Sequence, residues 1–197
     1  MIIETILSSI NKKGEVNFAP MGVHIPDHAI NLSKVKEICL YLYSGSHTFD
    51  NLQTTLEGVI NLTNDVMAFV ETALFSTSLP TAPSRLVHPP RMAGAKTIWE
   101  FSVTDFHASV EPAKVLGKIK YYEELAGFSG LCRAQGAVLE AAIAATRWRW
   151  MTRSKIEESW AQWRETVERT GGSREQEAFS RVCDFFAQNG IDMGDAK

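Results

Sequence analysis

The sequence lacks the cysteine and histidine patterns of disulfide-rich and metal-binding proteins. Its 197 residues contain three widely separated cysteines, and the five histidines form no HExxH motif. An odd, dispersed set of cysteines excludes a disulfide framework and predicts reduced thiols. We therefore expect no structural disulfide and no metal site. The cysteines are Cys39, Cys132 and Cys183.

Long apolar runs and clusters of one charge are missing as well. The sequence contains no run of about 18 apolar residues, the length needed to cross a membrane, and the first residues lack the basic segment of a signal peptide. Lys and Arg number 20 against 23 Asp and Glu, which gives a formal net charge of -3. Because no basic run could neutralise a phosphate backbone, the sequence predicts a soluble, cytoplasmic protein that binds neither nucleic acid nor membrane.

The common nucleotide and hydrolase motifs are also missing. No glycine-rich dinucleotide or phosphate-binding loop occurs. Gly127-Phe128-Ser129-Gly130 resembles a nucleophile elbow, but Leu131 stands where the GxSxG motif needs glycine. No catalytic residue can be assigned from these patterns.

The first half of the chain has the patterns of an antiparallel β-sheet or barrel. Segments 2–10 and 16–25 flank the turn Lys12-Lys13-Gly14, where Gly14 supplies the positive φ of a tight hairpin. Segment 37–43 alternates but is apolar on both faces, which suits a strand of a closed barrel. Further strands are predicted at 96–106 and 115–121.

Helical periodicity appears at 66–74, where Asn61 or Thr63 could provide the N-cap, and again through most of the chain after Gly130. Two capping boxes, Ser154 to Glu157 and Ser173 to Gln176, predict two of the later helices.

The predicted fold is therefore α+β and mainly antiparallel, with a barrel domain at 1–128 and a helical subdomain at 129–197. Within the barrel domain, segment 77–95 carries four of the seven prolines. A loop of this length is typical of a lid or a binding segment.

Two segments combine tight backbone geometry with small polar groups. The first is the segment around Pro20. Proline has no backbone N–H to donate to a β-ladder, so Pro20 indicates a strand edge, and the free backbone of such an edge could bind a flat ligand. In the second, a strand ends at a Ser-Gly-Ser turn before a short helix. The helix N-terminus with the hydroxyls of Ser44, Ser46 and Thr48 could hold a phosphate, or Ser46 or Thr48 could simply be the N-cap.

Together the two segments resemble the FMN-binding split barrel of the flavin-reductase and flavoredoxin type. Those proteins carry an Asn-x-Ala-Pro strand, a Lys-Asp-Thr-x-x-Asn phosphate turn and a Val-Val-Asn-Leu-like strand. The corresponding segments here are Asn17-Phe18-Ala19-Pro20, Ser46-His47-Thr48-Phe49-Asp50-Asn51 and Gly58-Val59-Ile60-Asn61-Leu62.

The opening residues and the segments 127–134, 140–143 and 146–147 narrow the resemblance. They look like an FMN-binding split-barrel family of archaea and methanopterin-using bacteria that has a helical C-terminal extension.

The resemblance implies FMN as cofactor and a set of binding residues. Ser46, Thr48 and Asn51 would bind the phosphate, with Ser44 as a weaker candidate. Ser46-His47 replaces the Lys-Asp of the reductase pattern, so the phosphate charge would be met by His47, by the helix N-terminus or by an arginine, for which Arg133 is the candidate. The isoalloxazine edge would be lined largely by the main-chain groups of Asn17, Phe18, Ala19 and Pro20.

The resemblance also implies a function. We expect a homodimer with FMN near the interface that transfers hydride to or from a small molecule such as a pterin or a nicotinamide. The alternative is a non-catalytic FMN-binding or F420-type cofactor carrier or an assembly protein. Arg85, His88 and Arg91 of the proline-rich loop could meet an anionic substrate or the flavin phosphate, or only solubilise the loop.

Overall fold

The computed structural model describes residues 1–26, 31–127, 130–191 and 193. The chain divides into two compact units, Met1–Thr63 with Ser78–Phe128, and Asn64–Thr77 with Ser129–Lys197. The sequence-based boundary after residue 128 and the Phe128-Ser129 pair lie outside the described residues.

The first unit contains a closed antiparallel barrel of six strands. The strands are β1 (Ile2–Ile10), β2 (Val16–His24), β3 (Glu37–Leu42), β4 (Glu57–Leu62), β7 (Thr97–His107) and β8 (Ala113–Glu124); the unit also contains α1 (His47–Thr55) and the short pair β5 (Thr81–Ala82) and β6 (Arg91–Met92). The order of the six strands around the barrel is β1, β2, β3, β8, β7 and β4, and every neighbouring pair is antiparallel. The mainly antiparallel α+β fold expected from the sequence is thus confirmed.

Alternate residues of each strand fill the barrel, because successive side chains point to opposite faces of a sheet. Leu7, Leu40, Ile60, Trp99 and Phe101 are almost fully buried in this core. The ring of Phe101 fits only because two facing positions are glycine. A Cβ at Gly58 would come within 2.7 Å of the ring, and one at Gly117 within 2.8 Å.

The second unit is helical and has its own core. Its helices are α2 (Val66–Leu74), α3 (Arg133–Thr146), α4 (Arg153–Thr170) and α5 (Ser173–Gln188). The alanine-rich face of α3 packs in a cluster with Val70, Trp160, Val182 and Phe186. Helix α2 belongs to this unit, although the sequence-based division placed it with the barrel, because its apolar stripe packs against α3 and α5.

Salt bridges on the helix surfaces link α2 to α5. Arg174 makes a two-pronged bond to Asp65, at 3.0 and 2.7 Å, and Arg181 bonds Glu71 at 2.7 Å. The hydrogen bond from Arg181 holds the pKa of Glu71 below its usual value. Arg181 also stacks over the ring of Phe75.

The helix starts differ from the sequence-based assignments by one or more residues. The N-cap of α2 is Asp65, which accepts a hydrogen bond from the Met67 amide, and not Asn61 or Thr63. Ser154 lies inside α4, so the first predicted capping box does not form. At α5 the N-cap is Gly172, whose amide donates to Glu175, one residue before the predicted box.

Candidate functional site

The site expected from the sequence lies at one end of the barrel, where β2 pairs with β1 but hardly with β3. Strand β2 pairs with β1 along its length, but its pairing with β3 is the single match His24↔Cys39. Within the described residues, the part of β2 that contains Pro20 therefore pairs with β1 on one side and has no strand partner on the other. The interpretation of Pro20 as a mark of a strand edge is confirmed.

Helix α1 closes this end of the barrel. It follows β3 through the turn 43–46, in which Gly45 has a φ of 77°. Phe49 and Leu52 on one face of the helix are buried in the barrel core. The apolar face fixes α1 across the barrel and leaves its first turn beside β1 and β2.

Ser46 is the N-cap of α1. Its hydroxyl oxygen accepts the Phe49 amide at 3.2 Å and its hydrogen goes to the Tyr43 carbonyl at 2.9 Å. This is the capping role that the sequence left open beside phosphate binding. The amides of His47 and Thr48 lie in the first turn, where the helix itself provides no carbonyl acceptor. They can receive an anion.

Four polar side chains meet where α1 contacts the β1–β2 hairpin. The amide nitrogen of Asn17 donates to the hydroxyl of Thr48 at 3.1 Å, and that of Asn51 donates to Ser9 at 3.0 Å. Ser9 and Asn17 are cross-strand partners, and Thr48 and Asn51 share one helix face because they are three residues apart. The structure thus brings three predicted residues together and adds Ser9.

Ser44 stands apart from this cluster. Its amide donates to the carboxylate of Glu111 at 3.0 Å, so an anion at that amide would meet a negative charge. His47 is exposed at the first helical position. Both assignments to the phosphate remain predictions.

The remaining sequence candidates lie on β2 and in the helical unit. Ala19 pairs with Leu7 and faces the barrel interior, whereas Phe18 and Pro20 point to the opposite face. Phe18 is buried, so it could meet a ligand mainly through its backbone. Arg133 is the exposed first residue of α3, and its role toward a phosphate remains a prediction.

The proline-rich loop is held against the outer face of β1, β4 and β7. Glu100 is fully buried, and its two carboxylate oxygens accept the amides of Arg85 and Leu86 at 2.7 and 2.6 Å. The Ser8 hydroxyl donates to the Pro90 carbonyl at 2.7 Å, and the Asn61 side chain accepts the Met92 amide at 2.8 Å.

The charged residues of this loop have partners within the barrel unit. Arg85 donates to the Tyr121 hydroxyl at 3.2 Å and lies over its ring. That hydrogen bond raises the pKa of Arg85. His88 contacts the Glu57 carboxylate through its backbone amide and its ring, at 3.0 and 2.8 Å. Arg91 donates to the Met92 carbonyl at 3.4 Å.

Ser9 and Glu111 were missed in the sequence for different reasons. The hairpin turn sets the register that pairs Ser9 with Asn17, so Ser9 could have been found as a polar residue on the inward face of β1. Glu111 is 67 residues from its partner Ser44, and no local pattern points to it.

The described ranges contain neither a cluster of metal-ligating side chains nor a helix suited to span a membrane. No group of three or more His, Cys, Asp and Glu side chains could hold a metal ion. None of the helices is both long enough and apolar enough to span a bilayer.

Family models match both units of the chain. Residues 3–125 match the model for the N-terminal domain of a protein family of unknown function, DUF447, and residues 132–184 match the model described simply as DUF447. No curated protein matches the sequence.

Solved structures share the fold at low sequence identity. An FMN-bound protein of the same family from Methanosarcina mazei has a TM-score of 0.75 and 19% identity, over 93% of this chain and 94% of its own. Component B of a nitrilotriacetate monooxygenase from Bacillus cereus has a TM-score of 0.52 and 18% identity, over 69% of this chain and 78% of its own. For a putative flavin reductase with a split-barrel domain from Shewanella frigidimarina the values are 0.51 and 15%, over 61% and 66%.

Proposed function

The chain belongs to the DUF447 family, and on this basis we propose that it is an FMN-binding flavoprotein that acts as an oxidoreductase. The observation that carries the proposal is the fold shared with the FMN-bound Methanosarcina mazei protein over nearly the full length of both chains. Since fold alone does not imply function, the proposal depends on whether the residues at the barrel end suit this cofactor.

The donors at the start of α1 suit the phosphate end of FMN. The first-turn amides and the Thr48 hydroxyl are hydrogen-bond donors, and the N-terminus of a helix favours negative charge. Residues 43–52 contain no Lys or Arg. The positive charge opposite the phosphate would therefore come from the helix N-terminus and His47, with Arg133 as the arginine candidate.

The free edge of β2 suits the flat ring system. An unpaired strand edge presents a row of backbone N–H and C=O groups, which match the N–H and carbonyl groups along the pyrimidine side of an isoalloxazine. Asn17, Phe18, Ala19 and Pro20 form this part of β2. Main-chain recognition is consistent with the buried side chain of Phe18.

The bound flavin would supply hydride-transfer chemistry, and the protein would bind and orient it. The substrate is proposed to be a small molecule such as a pterin or a nicotinamide, and the functional unit a homodimer with FMN near the interface. The three cysteines are free thiols, which favours the cytoplasm as the compartment.

The alternative is a non-catalytic carrier of FMN or of an F420-type cofactor, or an assembly protein. Both candidates predict a bound cofactor, so binding alone does not separate them. Turnover does: an oxidoreductase's flavin is bleached by a hydride donor, and a carrier's is not.

The first experiment is an absorption spectrum of the purified protein, followed by release and identification of any chromophore. We expect released FMN, and anaerobic NADH, NADPH and reduced pterins then test for bleaching. A colourless protein that leaves the fluorescence of added FMN unchanged would refute the proposal.

A matched pair of variants tests the phosphate site. Thr48→Val removes the candidate donor and keeps the N-cap Ser46 intact, so α1 should still form. We expect FMN affinity to fall by about 1.5 to 3 kcal/mol, the range of one hydrogen bond to a charged group. Thr54→Val on the exposed face of the same helix is the control and should bind FMN like the wild type.

A further inference from the structure

The contact between Asn17 and Thr48 assigns Asn17 a role different from the one its place on β2 suggested. Asn17 Nδ2 donates to Thr48 Oγ1 at 3.1 Å. A hydroxyl that accepts from a neighbour still has its own hydrogen to donate. Within the described residues, no protein acceptor for the Thr48 hydroxyl hydrogen is found, and Thr48 is only 3% exposed.

The surrounding structure makes this orientation rigid. Asn51, one helical turn after Thr48, donates to Ser9, and Ser9 is the cross-strand partner of Asn17. Thr48 and Asn51 of α1 are therefore both hydrogen-bonded to one cross-strand pair of the β1–β2 hairpin. Such a buried network favours one arrangement, because any member that loses its partner pays a desolvation penalty.

We propose that Asn17 is a positioning residue that orients the Thr48 hydroxyl as a donor to the FMN phosphate and thereby makes the site select FMN over riboflavin. This inference rests on the proposed function. The inference deepens the proposed function, because the choice between FMN and riboflavin then depends on a pair of side chains, one on β2 and one on α1, and not on the helix N-terminus alone.

The chemistry of the two flavins provides the test. FMN and riboflavin share the ring and the ribityl chain and differ only in the phosphate. A residue that contacts the ring affects both ligands equally, whereas a residue that acts through a phosphate donor affects FMN alone. Both dissociation constants can be measured on the flavin-free protein by quenching of flavin fluorescence.

For Asn17→Ala we expect the FMN dissociation constant to rise roughly tenfold to a hundredfold, the range expected for one hydrogen bond to a charged group. The dissociation constant of riboflavin should change less than about threefold, because riboflavin lacks the phosphate group that Thr48 would contact. Thr48→Val should give the same pattern.

A double-mutant cycle shows whether Asn17 acts through Thr48. In the Asn17→Ala/Thr48→Val variant, FMN binding should be no weaker than in Thr48→Val alone. Multiplied effects would show that Asn17 contacts the flavin independently and would overturn the inference.

Asn17→Asp keeps the shape of the side chain but can only accept, so it should turn the Thr48 hydrogen inward and weaken FMN binding even where the alanine variant folds poorly. Asn31→Asp makes the same charge change at an exposed N-cap and should bind both flavins normally.

The outcomes separate the two proposals. Equal weakening of FMN and riboflavin in the Asn17 variants overturns the positioning role and leaves the flavoprotein standing. A wild-type protein that binds neither flavin overturns both. A loss confined to FMN, and absent once Thr48 is Val, supports the inference.

Discussion

Replacing Glu100 with Gln should loosen the proline-rich loop where Arg85 and Leu86 contact the barrel. Glu100 is fully buried on the outer face of β7, and its two oxygens accept the backbone amides of Arg85 and Leu86. Gln has nearly the same shape but only one accepting oxygen. Its NH₂ group would face the second amide, donor against donor, and that amide would lose its partner.

The size of the effect follows from these contacts. An amide left unpaired away from water costs about 1 to 3 kcal/mol, and removal of a buried charge offsets part of that cost. We expect a net loss of about 2 kcal/mol. At about 2 to 4 °C per kcal/mol for a chain of this size, the melting midpoint should fall by roughly 4 to 8 °C.

The assay combines thermal unfolding with limited trypsin digestion, because Arg85 and Arg91 place two cleavage sites in the loop. Glu100→Gln should speed cleavage at both sites, and Glu4→Gln, at an exposed position of β1, is the matched control. Unchanged melting and unchanged cleavage would show that the carboxylate does not hold the loop and would refute the reasoning.

Three other perturbations test the barrel end and the helical unit. Ser9→Ala removes the acceptor of a buried carboxamide and should destabilise the protein by about 1 to 3 kcal/mol in urea unfolding; Ser9→Thr, which keeps the hydroxyl, should recover part of the loss, and no difference between the two would contradict the network. The lowered pKa of Glu71 means that its bond to Arg181 adds stability above the pKa of an unfolded carboxylate, and that this stability disappears as the pH falls through the lower folded value. Arg181→Gln should therefore flatten the acid side of the stability curve, and an unchanged slope would argue against the linkage. Gly58→Ala forces a Cβ to within 2.7 Å of Phe101 and should lower the melting midpoint, whereas a neutral result would mean that the ring can move aside.

The barrel strands were predictable because local sequence determines them. The turn around Gly14, with a φ of 81°, aligns β1 and β2 in the predicted hairpin, and alternation fixes which residues of each strand face inward. The predicted strands at 2–10, 16–25 and 37–43 match the structure to within a residue at each end.

The helix starts were less predictable because several polar residues compete for each cap. Asp65 caps α2 although Asn61 and Thr63 carry equally suitable side chains. Asn61 is unavailable for capping because its side chain bonds Ile6, in β1, and Met92. Such a choice depends on tertiary contacts that no local pattern contains.

Local sequence was enough to predict the strand edge at Pro20, the turn that leads into α1, and the residue types that suit a phosphate and a flat ring. These follow from rules that act within a few residues: proline lacks an N–H, and small polar side chains favour helix starts. Which of these residues work together depends on the folded chain. It joined Asn17 to Thr48 and Ser9 to Asn51, assigned the Ser46 hydroxyl to capping, and bound the proline-rich loop to Glu100, because a hydrogen bond between distant residues requires the chain to have closed into a barrel.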